Sequence, residues 1–282
     1  MFVDYHVHSE FSDDSEYPME EIVEEARKMG MKELCFTDHV DYGIKRDWDD
    51  PEGMTYRRGG AGEPEKMPLA NVDYPRYMNK IHALQERYKN KITIKVGMEF
   101  GMQRHTIPQY EALFRLYPFD FIILSVHQIE NKEFWNGDFG REYTQYEYYM
   151  RYYRELLFLV ENYHNYSVLG HMDLISRYDP VGNFPFSEVE PVIRQILKIV
   201  IADGKGIEVN TSCYRYGLDM TPCREILEIY RDLGGEILTI GSDSHKQEHL
   251  GYFIPETLNE LKSLGFKQIC TFEQMKLTFH LL

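Results

Sequence analysis

The chain has 282 residues, 43% hydrophobic and 14% aromatic, enough for one sizeable core and for a single α/β barrel of about 250 residues. Its 46 Asp and Glu against 31 Lys and Arg give a formal charge of −15, which disfavours non-specific contact with phosphate backbones. Its apolar runs, such as 119–126, are too short to cross a bilayer, and the opening MFVDYHVHSE carries neither a basic nor an apolar leader region. A cytoplasmic protein with no membrane and no nucleic-acid partner is therefore expected. Cys35, Cys213, Cys223 and Cys270 form no CxxC pair, which fits a reducing compartment.

Taken in order, the chain opens on a strand over Phe2–His8, a helix over Met19–Met29 closed by Gly30, and a strand over Glu33–Thr37. An irregular stretch over 41–73 follows, rich in Gly, Pro and charge (RRGGAGEPEKMP); a loop of that length reads as a lid. Next come a helix over Pro75–Tyr88 and strands over Ile92–Gly97 and Phe119–Val126. A helix over Tyr146–Asn162, a strand over Ser167–Gly170, a helix over Glu188–Ala202 and a strand over Gly206–Asn210 continue the alternation. The last units are a helix over Pro222–Leu233 closed by Gly234, a strand over Ile237–Gly241, and a helix over Pro255–Leu264 closed by Gly265. Pro222 and Pro255 are expected in the first helical turn. A weaker eighth strand spans Lys267–Thr271. Repeated strand–helix units imply a parallel sheet with right-handed crossovers. A closed barrel is favoured over an open doubly wound sheet, because no Gly-rich phosphate loop follows the first strand.

Six of the eleven histidines, His6, His8, His39, His127, His171 and His245, fall at the C-terminal ends of these strands, the face on which barrel enzymes build their sites. His82, His105, His164, His249 and His280 do not, and read as surface, helix or loop residues. Period two on a strand puts Asp4, His6 and His8 on one face, so two imidazoles can reach one cation. Ser242-Asp243-Ser244-His245 repeats that spacing near the other terminus. Glu99 closes an apolar run (GME), where a carboxylate is costly to bury unless paired or metal-bound. Asp13, in the SDDS loop, reads as a solvated turn or cap residue. Every strand end from one to seven except the sixth, which ends on Asn210, offers His, Asp or Glu. Mixed nitrogen and oxygen ligands suit Zn²⁺, Mn²⁺ or Fe²⁺ better than Mg²⁺ or Ca²⁺, and the set is large enough for two or three ions with Glu99 as a bridge. Arg177 and Arg215 follow the fifth and sixth strands in loops on the same face and are candidate phosphate clamps. Trp48, Tyr56 and Arg57 could cover a substrate from the 41–73 loop.

The motifs DYHVHS, TDH, GME, SVH, GHMD and SDSH, in that order from Asp4 to His245, resemble those of the polymerase and histidinol phosphatase (PHP) superfamily. Within it, the HSEFSDDS opening, the GHMDLISRY stretch and the chain length most resemble PHP-type histidinol-phosphate phosphatases. The resemblance implies a distorted (β/α)7 barrel, single-domain over 1–282, and three divalent ions per chain. By motif, His6, His8, Glu99 and Asp243 would hold the first ion. Glu99, His127 and His171 would hold the second, and Asp14, His39 and His245 the third. Asp4 would orient a ligand histidine. Glu99, Asp243 and His245 are expected at the reacting centre. The reaction implied is hydrolysis of L-histidinol phosphate, in histidine biosynthesis, by a metal-bridging hydroxide with no protein nucleophile. Three other readings rank below it: a PHP nuclease, which would want a basic groove and further domains where neither a basic run nor spare chain is evident; an amidohydrolase, which would want a bridging Lys where His127 stands; and a metal-binding or regulatory barrel that has lost activity, which would show missing ligands where every expected position is filled.

Overall fold

The computed structural model describes residues 1–50, 55–58 and 66–282, with the backbone alone for 55–58 and 66–68. Seven strands form the barrel: β1 (Val3–Val7), β2 (Glu33–Phe36), β3 (Thr93–Gly101), β4 (Phe121–Ser125), β5 (Val168–Leu169), β6 (Gly206–Asn210) and β7 (Leu238–Gly241). They pair in sequence order, all parallel. The ring is completed at its C-terminal rim, where the His8 amide donates to the Ser244 carbonyl (2.8 Å). Lower down, the buried Asp4 carboxylate accepts from the Ser242 amide (2.9 Å) and the Gly251 amide (3.0 Å), fastening β1 to the segment after β7. The first and last barrel strands are thereby joined.

Each barrel strand is followed by a helix: α1 (Met19–Lys28), α2 (Tyr74–Arg87), α3 (Ile107–Leu116), α4 (Gln145–Asn162), α5 (Phe186–Ala202), α6 (Arg224–Asp232) and α7 (Ile254–Ser263). Local chemistry sets their limits. Thr144 and Glu147 form a reciprocal capping box on α4, and the Asp73 side chain accepts from the Arg76 amide (3.0 Å) to start α2. Gly30, at φ +80°, follows the end of α1 in a conformation that would strain any other residue. The inward faces carry the core: Ile22, Val23 and Ala26 on α1, and Ile193, Ile196, Leu197 and Val200 on α5, are buried.

Four expectations need correction. Helix α3 was not expected, and it fills the connection between β3 and β4. Pro255 lies in the first turn of α7, but Pro222 precedes the Cys223 cap of α6 and is outside the helix. The eighth strand exists yet leaves the barrel: β8 (Gln268–Glu273) pairs antiparallel with β9 (Lys276–Leu281). Asp4 accepts from backbone and serine groups, including the His6 amide (3.3 Å), and does not orient an imidazole.

The described part of the expected lid runs beside the C-terminal rim. Its start, including Asp41, Ile44 and Lys45, packs against the site, and 55–58 pairs with 66–69 as an antiparallel ribbon. Trp48 is exposed, while the side chains of Tyr56 and Arg57 lie outside the described residues. Among the described residues no helix is long and apolar enough to cross a membrane.

Candidate metal centre

The six strand-end histidines, Asp14, Glu99 and Asp243 meet at one end of the barrel, at the floor of a cavity of about 760 Å³. Glu99 is 1% exposed and stands at the middle of the group. Its Oε1 faces His127 Nε2 (3.1 Å) and His171 Nε2 (2.8 Å). Its Oε2 faces His6 Nε2 (3.2 Å), His8 Nε2 (3.6 Å) and His39 Nδ1 (3.0 Å). The two oxygens of one carboxylate thus address two different sets of imidazoles, the arrangement expected of a bridging ligand. Asp243 Oδ1 lies 3.4 Å from His8 Nε2 and 3.7 Å from His6 Nε2, on the first side. Asp14 Oδ2 lies 3.2 Å from His245 Nε2 and 3.5 Å from His39 Nε2, forming a third grouping at the cavity wall.

The histidines are oriented from behind, and the residues that do so were not read from the sequence. Glu208, buried on β6, accepts from His6 Nδ1 (2.5 Å) and, through its other oxygen, from the His171 amide (2.9 Å). Asp41 accepts from His127 Nδ1 (2.9 Å). Ser12 Oγ accepts from His8 Nδ1 (3.2 Å) and donates to the buried Asp38 (2.9 Å). The Asp243 carbonyl accepts from His245 Nδ1 (3.1 Å). In all four, Nδ1–H is spent outward, so the Nε2 lone pair faces the centre, as metal-binding histidines require. The strands approach closely to allow this. A Cβ at Gly241 would strike His6 and Glu208, and one at Gly101 would strike Asp41 and His127.

Electrostatics and desolvation both call for cations here. Burial favours neutral acids, but His6, His127 and His39 hold the Glu99 carboxyl well below its ordinary range. His6 and His8 do the same for Asp243. Burial, with His245 and His39 alongside, pushes the His8 imidazole well below its ordinary range, keeping it a neutral donor. His6 Nε2, His8 Nε2, His39 Nδ1 and Glu99 Oε2 are buried with no hydrogen-bond partner. Such an atom costs about 1–3 kcal/mol if left unmet. These orphaned donors converge, and three overlapping groups have metal-ligand spacing: His6 with His8 and Glu99, His39 with Glu99 and His127, and His8 with His39 and His245. Divalent ions fit this donor set. His39 falls in two of these groups, one with Glu99 and His127 and one with His8 and His245, and it stands nearer Glu99 (3.0 Å) than Asp14 (3.5 Å).

Several other expectations shift. Asp13 is no solvated turn residue, because its carboxylate pairs with Lys45 (2.6 Å), which also pairs with Asp41 (2.8 Å). His249 lines the cavity. Arg177 and Arg215 line it as well. Arg177 donates to Ser212 Oγ (2.5 Å), sits over the Tyr216 ring, and leaves its buried Nε without a partner. Arg215 donates to the carbonyls of Ser242 (2.8 Å) and Asp243 (3.0 Å), holding Asp243 at φ +54°.

A family model for the PHP domain matches residues 4–212. A histidinol-phosphatase of Lactococcus lactis subsp. lactis is 32% identical over 280 residues, covering 98% of this chain and 96% of that protein. A Thermotoga maritima protein named "Probable histidinol-phosphatase" is 25% identical, covering 95% and 94%. The crystal structure of histidinol phosphate phosphatase from Lactococcus lactis, complexed with zinc, L-histidinol and phosphate, superposes with a TM-score of 0.80 at 29% identity and covers 98% of both chains.

Proposed function

The chain belongs to the PHP domain family, and from that premise we propose that it is a metal-dependent phosphomonoesterase that hydrolyses L-histidinol phosphate to L-histidinol and inorganic phosphate. One observation carries the reading: the carboxylate of Glu99 joins two groups of imidazoles, three of the five anchored outward through Nδ1, at the floor of a cavity that Arg177 also lines with an unpartnered Nε. The substrate is supported by the near full-length likeness to the Lactococcus enzyme, whose structure holds L-histidinol and phosphate.

His6, His8, Glu99 and Asp243 would hold one ion; Glu99, His127 and His171 a second; Asp14, His39 and His245 a third. Such ions supply an activated water at neutral pH and neutralise phosphate and leaving-group charge. Glu208, Asp41, Ser12 and the Asp243 carbonyl fix the imidazole tautomers that this requires. The unpartnered Arg177 Nε offers a donor to a phosphate oxygen. Arg215 has less to offer, because two of its nitrogens already serve backbone carbonyls. The described residues Asp41, Ile44, Lys45 and Leu69 from the 41–73 stretch stand on the cavity wall, which supports a covering role for it.

Arg177→Ala is expected to lower kcat/KM about 10–100-fold, the range of a charge-assisted hydrogen bond, with metal content unchanged. Loss of metal in that variant, measured by elemental analysis, would assign Arg177 to the scaffold instead. Turnover in ¹⁸O-labelled water tests the reaction itself. One label should appear in phosphate and none in histidinol; label in histidinol, or a trapped phosphorylated side chain, contradicts water attack at phosphorus.

A further inference from the structure

A phosphorylated amino alcohol carries a cation as well as an anion, and the cavity offers one carboxylate that has no cationic partner among the described residues. Of the acids on its wall, Asp13 pairs with Lys45, Asp41 with Lys45 and His127, and Asp14, Glu99 and Asp243 face imidazoles. Glu133 also lines the cavity, half-buried, and among the described residues it has no ion-pair partner. Its adjacent Lys132 pairs with Glu142 instead.

The hairpin that carries Glu133 is well placed for recognition. It follows β4 immediately after His127: Gln128–Ile129 pairs antiparallel with Lys132–Glu133, so Glu133 stands opposite Gln128, itself on the cavity wall. Asn136 Nδ2 donates to Glu133 Oε2 (3.1 Å), and the Glu133 carbonyl accepts from the Phe139 amide (3.3 Å), which fixes the residue while leaving Oε1 open. Two residues on, Trp135 lines the same cavity with 69% of its surface exposed, an aromatic face left in solvent. A carboxylate and an exposed indole lining one cavity can together receive an organic ammonium, by charge and by cation–π contact.

We propose that Glu133 is the specificity-determining residue that binds the ammonium group of the amino-alcohol portion of the substrate, with Trp135 walling the same subsite. This rests on the phosphomonoesterase reading above. Phosphate is anchored at the metal and arginine end, so a contact at the hairpin selects the alcohol without entering the bond-breaking step.

The test compares wild type and Glu133→Gln, a neutral isostere that can still accept from Asn136, on two esters: L-histidinol phosphate and 3-(imidazol-4-yl)propyl phosphate, which lacks only the amine. Wild type should prefer the amine-bearing ester by about 10–100-fold in kcat/KM, as a charge-assisted hydrogen bond provides, and Glu133→Gln should lose that preference by losing rate on histidinol phosphate alone. Metal content and thermal midpoint should not move. An unchanged preference, or an equal loss on both esters, overturns the assignment of Glu133 while leaving the phosphomonoesterase reading intact. Wild-type protein inert toward both esters, with its metals present, overturns that reading and this inference together.

Discussion

Replacing Glu99 with Gln is expected to lower kcat on histidinol phosphate by about 10³-fold or more, roughly 4 kcal/mol of barrier, and to reduce bound metal by at least one ion per chain. Each oxygen of Glu99 faces a different imidazole group, so no rotation of the amide satisfies both sides. Its NH₂ would point a donor at the centre from one side, and the lost negative charge removes what holds positive charge between His6 and His127. The substitution is isosteric, so the fold should stay intact. Circular dichroism with elemental analysis separates the cases; full activity with full metal content would refute the bridging role.

Chelation is expected to abolish activity and to lower the thermal midpoint by about 5–15 °C. An ion at roughly 1,000 times its dissociation constant stabilises the folded state by about 4 kcal/mol, and a domain of this size shifts a few degrees per kcal/mol. The effect should be large here because the orphaned His6, His8, His39 and Glu99 atoms are buried, where water cannot take the place of the ion. Adding back Zn²⁺, Mn²⁺ or Fe²⁺ should restore both properties. Undiminished turnover in protein stripped below one ion per chain would rule out a metal-dependent reaction.

The sequence showed the barrel and the centre more clearly than the scaffold behind the centre. Strand-end histidines are legible because a barrel aligns strand ends on one rim, so position along the chain becomes position in space. Glu208 was missed although it carries the signal that singled out Glu99, a carboxylate within an apolar strand (GIEVN). Asp41 stands in an irregular loop, and Ser12 among other small polar residues; only the fold shows which ring each meets. The resemblance implies a histidine partner for Asp4, and period two gives only a face, not the neighbour across the ring; that neighbour is the Ser242 segment. The β8–β9 hairpin was hidden because Gln274 and Met275, at φ +50° and +63°, occupy a two-residue turn where Asn-Gly would have announced it. Glu133 ends a two-residue strand too short for any periodic pattern, and Trp135 lies in the turn that follows it.

Phosphate release from L-histidinol phosphate by metal-analysed wild-type protein, set against cleavage of single-stranded DNA under the same conditions, tests the central claim most directly. The arrangement around Glu99, in a chain of net charge −15, predicts turnover of the small ester with histidinol and phosphate formed in equal amounts, and no DNA cleavage. DNA cleavage by protein that leaves histidinol phosphate untouched would contradict it.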